Sequence, residues 1–136
     1  MPGYIKRINP DTLHATPGYH HIVVVQAGRT AHLAGQCPLD LAGNLVGPGD
    51  VLAQTDQVAA NALAALAAVN AGPEQVVRAV IYVVTGEPGI LGEVSKRLRA
   101  SSLAPAFNGA STLLGVAQLG YSGQLVEVEL SAALEG

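Results

Sequence analysis

Positive charge is scarce in this chain. Seven of its 136 residues are Lys or Arg, against ten Asp and Glu, and the formal net charge is −3. Binding to nucleic acid needs clustered basic side chains that neutralise phosphates. The only basic groupings are Lys6-Arg7 and Lys96-Arg97 with Arg99, so a nucleic-acid partner is not expected. Cysteine occurs once, at Cys37, which excludes an internal disulfide. No apolar run approaches the roughly 18 residues that span a bilayer, and no signal-type apolar segment opens the chain, so no membrane partner is expected. These absences lead to the expectation of a reduced, cytoplasmic protein.

Apolar residues make up 49% of the chain and charged residues only 12%. So few charges cover a monomer's surface poorly, and burial of part of that surface against another copy is expected. The length suits one domain, spanning 1–136, with a single core.

Ile22-Val23-Val24-Val25 and Thr30 to Ala34 read as strands of a hairpin turning at Gly28-Arg29, with Val25 facing His32 and His21 facing Gln36. Pro38, Gly43, Asn44, Gly47, Pro48 and Gly49 mark an irregular connection. Asp50 is placed as the N-cap of a helix whose apolar stripe runs through Val51, Thr55, Val58, Ala62, Leu66 and Val69. Gln54 and Asn61 fall largely outside that stripe, and Asn70-Ala71-Gly72-Pro73 ends it.

Residues 76–84 are apolar at nearly every position, as in a central strand buried on both faces. A second helix opens at Glu87-Pro88, with Leu91, Val94 and Leu98 inward and Lys96, Arg97 and Arg99 toward solvent. Strands are expected at about 111–117 and 125–132; in the latter Val126, Val128 and Leu130 alternate with Glu127, Glu129 and Ser131. The expected class is α+β, in the order β-β-α-β-α-β-β: a mixed sheet with two helices on one face. Two helices leave the other face of residues 76–84 to be covered by a second copy.

Gly35-Gln36-x-Pro38-x-Asp40 followed by Gly43-Asn44, the Gln54-Thr55 helix start with Asn61, and the closing Val126-Glu127-Val128-Glu129 strand together resemble the RidA/YjgF family. The resemblance covers nearly the whole chain. It implies a chorismate-mutase-like fold and a homotrimer with a small-metabolite pocket at each subunit interface. It also implies hydrolysis of 2-aminoacrylate and related 2-imino acids to 2-keto acids and ammonia; some members have been described as ribonucleases or translation inhibitors.

In deaminating members an arginine opens the penultimate strand and is suited to a bidentate grip on the substrate carboxylate. Ser111 stands at that position here. A hydroxyl brings no charge, so weak activity on 2-aminoacrylate or 2-iminopropionate is expected, and the substrate is expected to be a different imine, enamine or related C–N compound. Glu127 matches the glutamate thought to position the attacking water, a role a carboxylate at a dry interface can fill; a solvated acid beside Glu129 is the plainer alternative. Counting back from Gly28, His21 takes the place of the family's pocket tyrosine, with Tyr19 two residues earlier. It is either a ligand contact able to move protons near neutral pH or an ordinary strand-edge histidine. Ser111 and His21 are thus candidate ligand contacts, with the Ala34-Gly35 backbone lining the pocket.

No metal or other cofactor is expected. His20 and His21 point to opposite sides of a strand and cannot share an ion as a pair, and Gly47-Pro48-Gly49 lacks the Gly-Lys-Ser/Thr of a phosphate loop. Cys37 reads as a small packing residue. A non-catalytic metabolite-binding or protein-protecting trimer is the alternative function, and an endoribonuclease the third.

Overall fold

The computed structural model describes residues 2–26 and 28–135. Its strands are β1 (Ile5–Ile8), β2 (Ile22–Val25), β3 (Thr30–His32), β4 (Val76–Val84), β5 (Ala110–Val116) and β6 (Val126–Ala133), with helices α1 (Val51–Ala67) and α2 (Pro88–Arg99). β3, β6, β4 and β5 form a mixed sheet in that order, in which β4 and β5 run parallel and the other pairs antiparallel. The fold is α+β, as the sequence implies.

The hairpin expected at Gly28-Arg29 is not formed. β2 pairs with β1, Ile5 opposite Val25, whereas β3 pairs with β6, Thr30 opposite Ala133. Neither partner lies across the Gly28-Arg29 turn, so local turn chemistry misassigned the pairing. β1 is an additional strand whose Lys6 and Arg7 hid it, and β1 with β2 makes a separate two-stranded sheet.

Alternation within β4 and β6 builds the core. Ala79, Ile81 and Val83 meet Val126, Val128 and Leu130 on one face, where Val58 and Leu66 of α1 and Val94 and Leu98 of α2 cover them. Tyr82, Glu127 and Glu129 lie on the opposite face, where the Tyr82 hydroxyl donates to Glu129 Oε1 at 3.0 Å.

α1 begins as expected: Asp50 Oδ1 accepts from the Ala53 N–H at 3.0 Å. After its last turn Asn70 takes a left-handed φ of 56°. Gln54, placed outside the apolar stripe by periodicity, is fully buried. Its Nε2 donates to the carbonyls of Gly47 and Gly123, both at 3.1 Å, and its Oε1 accepts from the Leu125 N–H at 2.7 Å. One amide thereby fastens the loop before α1 to the turn before β6, which is why a polar side chain sits on the packed face. Conversely, Val69 of the expected stripe lies beyond the helix and is exposed.

Replacing Gln54 by Leu orphans two carbonyls and one N–H, so Gln54→Leu should cost about 2–4 kcal/mol. Asp50→Ala should cost about 1 kcal/mol. Urea denaturation compares them; equal costs would contradict the role given to Gln54.

Candidate functional site

Two recesses flank the sheet. The first forms where the chain leaves β3 and stays beside β6: Gln36 and Val128 exchange backbone hydrogen bonds, at 2.7 and 3.2 Å. The signature residues hold this loop. Asp40 Oδ1 accepts from the N–H groups of Ala42 and Asn44 at 3.0 and 2.9 Å, Gly43 supplies a φ of +85°, and Asn61 Nδ2 donates to the carbonyls of Cys37 and Leu39, both at 2.9 Å. The loop and α1 enclose a recess of about 540 Å³ lined by Gly35, Cys37, Gln57, Asn61 and Tyr121.

Beside it lies Glu127. Its Oε1 accepts from the Cys37 thiol at 3.2 Å and from Gln124 Nε2 at 3.1 Å. Its Oε2 lies over Gly35, where a Cβ would come within 2.3 Å of it. A side chain at position 35 would collide with the carboxylate, so glycine there is a requirement of contact. One carboxylate oxygen is thus held by two donors, while the other faces bare backbone. Burial first, then the hydrogen bond and charge of Glu127, push the Cys37 thiol up to about 11. Cys37 is therefore a neutral donor that orients Glu127, a contact that its reading as a packing residue missed.

The second recess, about 600 Å³, lies on the helix-covered side between β5, α2 and the loop before β2. Ile81 and Leu113 contribute apolar surface, Ser111 and Tyr19 hydroxyls, and Lys96 and Arg99 positive charge. Asn9 shapes the loop: its Oδ1 accepts from the His21 N–H at 2.8 Å and its Nδ2 donates to Thr16 Oγ1 at 3.3 Å. The His20 N–H donates to the Gly109 carbonyl at 3.0 Å, which ties the same loop to the start of β5.

Ser111 lies opposite Ala79 in the β4–β5 register, and Glu127 opposite Tyr82 in the β4–β6 register. Ala79 and Tyr82 are three residues apart, so Ser111 and Glu127 point to opposite faces of the sheet. The structure brings Glu127 together with Gly35, next to Ala34 whose carbonyl accepts from Gln36 Nε2 at 3.0 Å, and brings Ser111 together with Tyr19. It does not join the two groups within one chain. His21 is not among the residues that line the second recess: Nε2 is 2.9 Å from the His14 carbonyl, and the ring meets those of His14 and Tyr19 edge-on at 4.6 and 6.0 Å.

Lys96 and Arg97 are exposed, as the helical period implies, and only the solvent-facing reading of Arg99 needs correction. Arg97 grips Asp56 through two hydrogen bonds of 2.8 and 2.7 Å, holding that carboxyl below its usual range. Arg99 is partly buried at the second recess. Helical periodicity places Arg99 beside solvent-facing neighbours because it carries no information about the loop that folds over the end of α2. Among the described residues no His, Cys, Asp or Glu cluster is arranged for a metal, and no helix is long and apolar enough to cross a membrane.

Because the carboxylate contributes to the high thiol pKa but burial contributes more, Glu127→Gln should lower the alkaline midpoint of Cys37 alkylation from about 11 toward, without reaching, the ordinary 9.0. Iodoacetamide labelling across pH 7–12 measures this; an unchanged midpoint would remove Glu127 from the contact.

Residues 10–134 match the family model described as endoribonuclease L-PSP. The crystal structure of YyfB from Yersinia pestis, a protein of unknown function in the conserved Rid protein family, is 37% identical with a TM-score of 0.86, covering 96% of this chain and 99% of that one. Rv2704 from Mycobacterium tuberculosis, of the YjgF/YER057c/UK114 family, shares the fold at 23% identity and a TM-score of 0.62, over 96% of this chain and 99% of its own. Protein DfrA from Myxococcus xanthus is 40% identical over 78 residues, 57% of this chain; the match spans only 60% of DfrA. With nearly its whole length matched by the family model and a Rid protein of similar sequence and fold, the chain belongs to the endoribonuclease L-PSP family, which is also the Rid/YjgF family.

Proposed function

We propose that the chain acts as a homotrimer in which the Tyr19–Ser111 recess of one copy and the Glu127 face of the next together form a small-metabolite pocket that hydrolyses an imine, enamine or related C–N compound. The observation that carries this reading is the separation of Ser111 and Glu127 onto opposite faces of one sheet: each stands at half of a site, and a second copy supplies the missing half. Exposure of Ile22, Val24 and Val25 on β2, and of Leu113 on β5, supports an assembly that covers them.

The chemistry follows from how Glu127 is held. Cys37 and Gln124 occupy Oε1, leaving Oε2 beside Gly35 to accept a proton from water. The imine nitrogen takes a proton from solvent, and the water oxygen bonds to the imine carbon while one water proton passes to Oε2, giving a neutral carbinolamine. Return of the Glu127 proton to nitrogen, release of the hydroxyl proton to solvent, and cleavage of the C–N bond with its electron pair going to nitrogen then yield a carbonyl compound and ammonia. An enamine first takes a proton on carbon to become the imine.

Ser111 cannot grip a carboxylate as a guanidinium does, so three-carbon imino acids are poor substrates. That same substitution favours the second reading, a non-catalytic metabolite-binding or protein-protecting trimer. The ribonuclease activity in the family's description gains little support from a chain with seven basic residues and a net charge of −3.

Light scattering should return a trimer mass, and a monomer would end the shared-pocket reading. In a 2-iminopropionate assay Ser111→Arg should raise kcat/KM about tenfold or more over wild type. Adding Glu127→Gln should then remove a factor of about 10²–10⁴. Retained turnover without the carboxylate would take water activation away from Glu127.

A further inference from the structure

Within one chain the second recess carries positive charge, from Arg99 and Lys96, and no carboxylate lines it. The one ion pair among the described residues is Arg97 with Asp56, so neither Arg99 nor Lys96 has a carboxylate partner among them. In a chain of net charge −3, two cations without a carboxylate partner among the described residues line one concave surface. Low-dielectric walls focus their field on whatever enters.

Arg99 is also held in place. Its Nη2 donates to the Phe107 carbonyl at 3.3 Å. Gly18, at a φ of +124°, lies so close that a Cβ there would come within 3.3 Å of Arg99 Nη1. A guanidinium has five N–H donors, and the Phe107 carbonyl engages one side of the group. Ordering part of the side chain by protein contacts lowers the entropy that a ligand would otherwise have to offset.

We propose that Arg99, seconded by Lys96, is the anion anchor of this recess, and that the ligand is a small organic acid whose carboxylate meets Arg99 and whose apolar body lies on Ile81 and Leu113. This rests on reading the recess as the metabolite pocket. The anchor comes from the end of α2, a different element from the β5 strand that carries Ser111. A three-carbon acid leaves most of about 600 Å³ unfilled, whereas a branched or longer chain covers the apolar surface. Ser111, freed from holding charge, contributes a hydroxyl to the polar part of the ligand.

Calorimetric titration of the full chain with 4-methyl-2-oxopentanoate and with its neutral amide tests the proposal. The carboxylate should bind wild type about tenfold more tightly than the amide, and added salt should narrow the gap. Arg99→Gln should erase the preference while leaving amide binding near wild type; Arg99→Lys, which keeps the charge, should retain part of it. Thermal melting of each variant separates loss of the anchor from loss of the fold. Equal affinity of wild type for the two probes, an undiminished preference in Arg99→Gln, or no carboxylate binding would each overturn the assignment. Carboxylate-selective binding without any imine turnover would instead sink the hydrolytic reading and leave the anchor standing.

Discussion

Side chains along a β-strand alternate between faces, and here that alternation divides the chemistry. α1 and α2 cover only one side of the β3-β6-β4-β5 sheet. Ser111 falls on the covered side and Glu127 on the open one, and no rotamer change can bring them together across the packed layer of Ala79, Ile81 and Leu130. A chain built this way can bring Glu127 and the Ser111 recess to one point only by meeting another copy of itself.

Within each half, positions are fixed by buried polar contacts rather than by shape alone. Gln54 joins the loop before α1 to the turn that leads into β6, and Asn61 holds the Cys37–Leu39 segment against the helix. Both amides act on the loop and the strand that carry Cys37 and Glu127. Amides of this kind are costly to leave unpaired, so the same groups that keep the core closed keep the carboxylate oriented.

Much of this was legible in the residues. Asp50 announced α1, the alternation of Val126, Glu127 and Val128 announced β6, and the Gly35–Asn44 signature pointed to the family and the fold. The remainder depends on tertiary contacts that local patterns do not encode. Gly28-Arg29 looked like a hairpin turn because turn chemistry is local, whereas the partners of β2 and β3 are β1 and β6. Gln54 and Arg99 were placed by helical period, which is blind to a loop that arrives from elsewhere to bury one and enclose the other. The Cys37–Glu127 contact joins residues ninety positions apart, and no spacing rule encodes it.

The close approach at Gly35 bears on how such a protein can change over time. Any residue larger than glycine there displaces the carboxylate from its present seat. Ser111 opens onto a recess of hundreds of cubic ångströms and meets no comparable obstacle. Steric constraint is thus concentrated beneath the carboxylate and relaxed at the wall of the recess, so the two halves of the sheet differ in how much change their packing can absorb.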